Sequence, residues 1–495
     1  MLVPTGAKVW DGNGWNALVD DDSLPKPHPP HSESYKDPNA TIFIGVSAFR
    51  DKRCPKTLYN YFSKAKNPHR LRVGLVQQNS ISEDPDCLQG YCDLMKADEK
   101  FATKFGDKCP YKEQIKITRV EAKLAAGPCY GRHMQSYMLR DEEFCMQTDS
   151  HMDVVPEWDE EMAAMWGRTE NEYGVLTTYV HVKESIGTLE QAKDRNKLVP
   201  HLCQVSFTGG NNPRYVQAKL AKLNGRPKLT TSWAAGFSFA KCHAWRAAPY
   251  DPHLKMVFDG EEFSMAARLW TRGYDFYTPD FSLIGHDYNR PTDGPSPGSW
   301  VSNPGLAEAG KKAHKRLRAL LGILGEPQPE GEDAIGKYGL GTKRSFQQFQ
   351  EFVGANTTTL EILNNRCNSI AWVPYKEEWP PTENNLGGPY WEAVFKHQAR
   401  QALPDPAAEP QAVDAQPVGI ITNVPMPSQR PIAVHAHVMS DAAANAHMAG
   451  AAELGTGVKL LLVLGLTAAI VAVVAMVSKR PRPARRSVLQ RIEEV

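Results

Sequence analysis

The chain has 495 residues, 41% hydrophobic, 23% charged and 9% aromatic, a composition that excludes a wholly disordered, collagen-like or polytopic membrane protein. With 57 basic against 56 acidic residues the formal charge is +1, so no global field favours nucleic acid, and no nucleic-acid partner is expected. The nine cysteines are odd in number and scattered without a CxxC pair, which excludes a zinc ribbon and a dense disulfide scaffold and suggests a reducing compartment, with room left for a few disulfides.

Residues 1–40 lack the basic start and apolar core of a secretory signal and read as an extended Pro/Ser/His-rich lead-in. From 41 to 374, strand-like runs such as TIFIGVSAF and LRVGLVQ alternate with helical patterns such as CPKTLYNYFSKA, the signature of βα units on a mostly parallel sheet. Residues 375–402 extend that domain. They carry Trp379, Tyr390 and Trp391, aromatics that either seal a domain edge or stack on sugar rings. An Ala/Pro-rich stretch over 403–457 is too poor in large apolar groups to offset ordering entropy and reads as a tether. Residues 458–478 then supply a transmembrane helix. Its core, Leu460 to Val477, is 18 uncharged residues, about 27 Å of helix, close to the thickness of a thin bilayer. The tail from 479 to 495 has six Lys/Arg against two Glu. The positive-inside rule would keep this tail cytosolic, whereas a C-terminal anchor inserted after synthesis leaves the large domain in the cytosol; the second arrangement is expected, with a lumenal or external domain as the alternative.

The residues with chemistry lie in two stretches. In EEFCMQTDSHMDVVPEWD a strand ends in Asp149, Ser150 and His151, so Asp149 and His151 share a face at the strand's carboxyl end, where open α/β sheets bind ligands. One oxygen and one nitrogen donor suit Mn²⁺ or Mg²⁺ bridged to a diphosphate. Farther on, FDGEEFSMAARLWTRGYDFYTP predicts a loop opening a helix, with Phe263, Ala266, Ala267 and Trp270 turned to the core, and FSLIGHDY predicts a short strand ending in His286, the third ligand. Glu261 and Glu262 either satisfy that helix's dipole or hold sugar hydroxyls or an acceptor.

The blocks TIFIGVSAFRD, GPCYGRH, MQTDSHMDVVPEWD, WAAGFSFAK, FDGEEFSMAARLWTRGYDFY and YGLGTKRSFQQFQEFVG, collinear over 41–374, resemble those of the GlcNAc-transferase family. Its best-known members are cytosolic enzymes that attach N-acetylglucosamine to a hydroxyproline. More distantly, DSH, GEE and GH resemble the polypeptide N-acetylgalactosaminyltransferases. The resemblance implies a GT-A fold with a Rossmann-like mixed sheet, a divalent metal, a UDP-sugar donor such as UDP-GlcNAc, a polypeptide or glycan acceptor, and retention of anomeric configuration. It implies metal ligation by Asp149, His151 and His286, uridine binding by Arg50 and Asp51, and a place near the diphosphate for Arg132. Glu261 and Glu262 would face acceptor and donor sugar. Ala126 and Asp153 depart from the family pattern, which has Arg before GP and a basic residue after DSHM. A membrane-displayed binding protein that retains the fold is the alternative function.

Overall fold

The computed structural model describes residues 32–363 apart from 195–196, 217, 224, 226, 290–303 and 332–333, together with 8–10, 15–17 and Cys367. The 375–402 extension, the 403–457 tether, the helix of 458–478 and the basic tail lie outside the described residues. No described helix is long and apolar enough to cross a membrane.

In chain order the elements that position the site begin with β1 (Ile42–Phe49), α1 (Cys54–Lys64), β2 (Leu71–Asn79), α2 (Cys87–Ala97) and β3 (Ile115–Glu121). They continue with α3 (Pro128–Gln135), β4 (Phe144–Asp149), β5 (Met152–Val154), α4 (Trp158–Gly167), β6 (Gly174–Thr177) and β7 (His181–Val182). The remainder are β8 (Lys228–Thr230), β9 (Phe237–Lys241), α5 (Glu261–Trp270), β10 (Asp275–Thr278), β11 (Ile284–His286), α6 (Pro304–Leu320) and α7 (Phe346–Val353).

Eight strands form one sheet in the order β8-β10-β6-β9-β4-β1-β2-β3. From β4 to β3 every pairing is parallel, whereas β9 runs antiparallel to both β4 and β6, and β8 antiparallel to β10. The sheet is thus mixed rather than mostly parallel, as the Rossmann-like expectation for a GT-A fold has it. β1 and β2 are buried almost throughout, as strands covered on both faces must be. Chain order reverses between β1 and β4, so their carboxyl ends flank a topological switch point, the place where open α/β sheets take ligands. A second, three-stranded sheet, β5-β11-β7, stands beside it and carries His286 at the end of β11.

Local chemistry explains the framing helices. α1 opens with Pro55 in its first turn, buries Leu58, Tyr61 and Phe62, and turns Thr57 and Asn60 toward the loop after β4. Thr57 Oγ1 donates to the Ser150 carbonyl at 2.9 Å and Asn60 Nδ2 to the Met152 carbonyl at 3.2 Å, which holds that loop from below. α5 follows Gly260, whose φ of 96° suits glycine, and a Cβ there would fall 2.5 Å from Leu317 of α6. Phe263, Ala266, Ala267 and Trp270 of α5 are buried as predicted. Phe349 and Phe352 of α7 pack on Trp270 at ring separations of 5.8 and 5.0 Å, and the Arg344 guanidinium lies over the Trp270 ring at 4.5 Å while pairing with Asp275. The YGLGTKRSFQQFQEFVG block is therefore a clamp on the helix that carries Glu261 and Glu262.

Ahead of β1, Glu33–Lys36 make a single turn that lays Tyr35 against Trp166 of α4. The cysteines pair more fully than the sequence suggested. Eight of the nine cysteines pair: Cys54–Cys87 joins the starts of α1 and α2, Cys92–Cys109 closes a short loop, Cys145–Cys242 ties β4 to the turn after β9, and Cys203 reaches Cys367. The partners lie 17 to 164 residues apart, so adjacency is set by topology and no spacing motif announces it. Cys129 is free and buried.

Candidate active site

Asp149 ends β4, His151 follows two residues on, and His286 is brought to them by the pairing of β11 with β5. Their ligating atoms all lie within 4.8 Å of one another. His151 Nε2 and His286 Nε2 face each other at 2.8 Å, and His286 Nε2 lies 3.4 Å from Asp149 Oδ2. On the far side of the ring, His151 Nδ1 is 2.6 Å from Asp51 Oδ2, which also accepts from Ser150 Oγ at 2.7 Å. A proton on Nδ1 shared with Asp51 leaves the Nε2 lone pair pointing at His286, the arrangement by which carboxylates orient metal-binding histidines. Two ring nitrogens this close can share only one proton, whereas a divalent cation accepts both lone pairs. The donor set of one carboxylate and two imidazoles fits such an ion.

Arg132, at the buried end of α3, divides its fork between Asp149 Oδ1 at 3.0 Å and Glu261 Oε1 at 2.5 Å. Tyr250 also donates to Glu261, at 2.8 Å. Glu262 is held by the Tyr179 hydroxyl and by the Ala235 backbone N–H at 2.8 Å. Gly236 lets this wall approach: a Cβ there would lie 2.9 Å from Asp149 Oδ2. Asp149, His286, Arg132, Glu261 and Glu262 line one cleft of about 290 Å³, with Phe258 and Tyr288 exposed at its mouth.

The carboxyls of the cleft are tuned in opposite directions. Burial pushes Asp149 up, but the hydrogen bond to His286 and the charge of Arg132 hold it well below the ordinary carboxylate value. Asp51 behaves alike: burial raises it, and hydrogen bonds from His151 and Arg53 bring it far down. Among the described residues, no cation is in contact with Glu262. Burial raises it to about 7, with the hydrogen bonds from Tyr179 and Ala235 opposing only in part.

The structure gathers Asp149, His151, His286, Arg132, Glu261 and Glu262, and links Asp51 to His151. Arg50 points elsewhere: its guanidinium binds Asp84 at 2.7 Å and Glu83 at 2.6 Å, and it does not pair with Asp51. Sequence reasoning missed Arg53, which bonds Asp51 at 2.9 Å and the carbonyls of Asp287 and Asn289, and missed Tyr179 and Tyr250. Arg53 sits two residues beyond Asp51, a local signal; nothing local marks the tyrosines.

The sequence profile of the glycosyltransferase (GlcNAc) family matches residues 41–359, more than half of the chain. The chain belongs to this family. Membership makes it a sugar transferase and agrees with the large mixed α/β sheet. Curated proteins give no match. Among solved structures the chain is similar to GalNAc-T7 with UDP, GalNAc and Mn²⁺, at 13% identity and a TM-score of 0.39, over 66% of this chain and 58% of that one. It is also similar to the mannosyltransferase PcManGT from Pyrobaculum calidifontis in complex with GDP-Man and Mn²⁺, at 12% identity and a TM-score of 0.29, over 59% of this chain and 77% of that one. The chain spans 58% of the length of GalNAc-T7, and TM-scores this low fix neither fold nor site.

Proposed function

We propose that this glycosyltransferase moves N-acetylglucosamine from UDP-GlcNAc to a polypeptide hydroxyl (hydroxyproline, Ser or Thr) or a glycan acceptor, with retention of anomeric configuration and a requirement for Mn²⁺ or Mg²⁺. The observation that carries the reading is the convergence of Asp149, His151 and His286 within 4.8 Å, at the edge of the cleft that holds Glu261 and Glu262. A divalent metal there would supply charge neutralisation for the departing diphosphate. The chain's own residues do the rest. Asp51 holds the His151 ring in its ligating tautomer. Arg132 helps to keep Asp149 ionised and bonds Glu261 as well, so that the metal side and the helix side of the cleft keep a constant spacing. Glu262, partly protonated near neutral pH, can donate to one sugar hydroxyl or accept from another. Uridine binding by Asp51 is compatible only with the carboxyl edge left over after His151, Ser150 and Arg53 are bound.

For location we propose membrane attachment through residues 458–478, with the catalytic domain lumenal or external. The four cystines support an oxidising compartment, and the six basic residues of the tail support a cytosolic C-terminus. The test of function is turnover of a panel of UDP-sugars with Mn²⁺ in a cell lysate, read by mass spectrometry. N-acetylhexosamine added to protein or glycan, abolished by chelation, is expected; a different sugar, or transfer unaffected by chelation, would overturn the donor or the metal respectively.

A further inference from the structure

Helix α6 has two faces. Gly310, His314 and Leu317 share one at helical spacing and meet Met256, Asn212 and Gly260, the ground on which the catalytic cleft is built. Ala309, Lys312, Arg316 and Ala319 share the opposite face and, with His253, Lys255 and residues 327–330, line a second cleft of about 550 Å³. Its charged lining is Lys255, Lys312, Lys315 and Arg316 against one carboxylate, Glu330. Arg316 is committed to Asp251 at 2.7 Å, and Lys255 lies over the Tyr130 ring at 5.3 Å. Lys312 and Lys315 are exposed and have no ion-pair partner among the described residues, although Lys311 beside them pairs with Glu308 and Arg318 with Glu326. Ala309, Ala319, Pro327 and Pro329 give the cleft short apolar walls that leave the two ammonium groups uncovered.

We propose that this cleft docks an acidic segment of the polypeptide acceptor. The proposal rests on the polypeptide-hydroxyl reading above. Unpaired lysines act as point charges suited to runs of carboxylates, while the guanidinium of Arg316, which would grip a phosphate, already bonds Asp251 through Nε and the Ala334 and Ile335 carbonyls through its terminal nitrogens. A helix is about 10 Å across, and an extended peptide advances about 3.3 Å per residue. An acceptor whose Asp or Glu residues lie roughly four to six positions from the modified hydroxyl can therefore occupy both clefts.

The test measures fluorescence anisotropy of labelled eight-residue peptides, one rich in Asp and Glu, one neutral and one rich in Lys, with full-length protein and no donor present. The acidic peptide is expected to bind at least about tenfold more tightly than the neutral one, to weaken with salt, and to lose about tenfold in K312E/K315E but not in K311E. UDP-GlcNAc hydrolysis, measured separately, is expected to be equal in all three proteins and reports on the transferase reading independently of peptide binding. Equal affinity for acidic and neutral peptides overturns the docking site. So does an equal loss in K311E, or binding of a heparin oligosaccharide at Lys312 and Lys315 with none of the acidic peptide.

Discussion

The two flanks of the candidate cleft carry carboxyls of similar burial and opposite character. On the sheet flank, Asp51 and Asp149 are bonded to Arg53, Arg132 and the two histidines and stay ionised far below the ordinary value. On the helix flank, Glu262 is bonded by a phenol and a backbone N–H, with no cation in contact among the described residues, and is raised to about 7. What separates them is whether a cation is within hydrogen-bonding distance, since desolvation acts in the same direction on all three. A site so divided can hold a cation at one end while keeping an exchangeable proton at the other, about as a metal-dependent sugar transfer requires.

The comparison breaks most visibly at the ligands. Asp149→Ala, His151→Ala and His286→Ala should each lower metal-dependent transfer by at least about 100-fold, with unfolding temperatures little changed for the histidine variants. Near-normal transfer after chelation and readdition of Mn²⁺ in all three would remove the sheet flank's role. Next in size is Arg132→Met, which leaves the buried Glu261 and the partly buried Asp149 without their guanidinium. A loss of about 3–5 kcal/mol in chemical denaturation is expected, partly restored in R132M/E261Q. If the double variant is no more stable than the single one, Arg132 does not bridge the flanks.

Asp51→Asn sharpens the account within one flank. Because Asp51 orients His151 rather than binding metal itself, Mn²⁺ affinity should fall about 10–100-fold while saturating Mn²⁺ recovers most of the turnover. A change in UDP affinity alone, measured without metal, would return Asp51 to a purely uridine-binding role. The smallest effect is a slope. Between pH about 4.5 and about 7 the folded chain retains a proton on Glu262 that the unfolded chain has released, so this group makes stability fall as pH rises. Asp51 and Asp149 act oppositely: their contribution is present above the unfolded value near 3.8 and is lost as pH falls below it. Glu262→Gln should flatten the fall between pH 5 and 7 in urea-denaturation midpoints and leave the acid limb unchanged.

Much of this arrangement is legible in the residues alone. The strand that becomes β4 can be read because its alternation ends in Asp149 and His151, and α5 because Phe263, Ala266, Ala267 and Trp270 keep helical spacing; both are local patterns. His286 could be placed at the end of a strand, though its approach to His151 depends on β11 pairing with β5, across more than a hundred residues. Features set wholly by topology were not legible: the Asp51–His151 bond, the division of Arg132 between two carboxylates, and above all the cystines. Cys145 and Cys242 meet because β9 runs antiparallel to β4, a reversal that no run of residues near either cysteine encodes. The cystine pattern gives its own check, since non-reducing peptide mapping of material from the secretory pathway should recover four bridges and one alkylatable thiol at Cys129.

The most direct test is a titration of Mn²⁺ into the full-length protein, followed by electron paramagnetic resonance, with and without UDP. One bound Mn²⁺ per chain is predicted, tightened by UDP and lost in His286→Ala. Equal Mn²⁺ binding by the wild type and His286→Ala would contradict a metal held between β4 and β11.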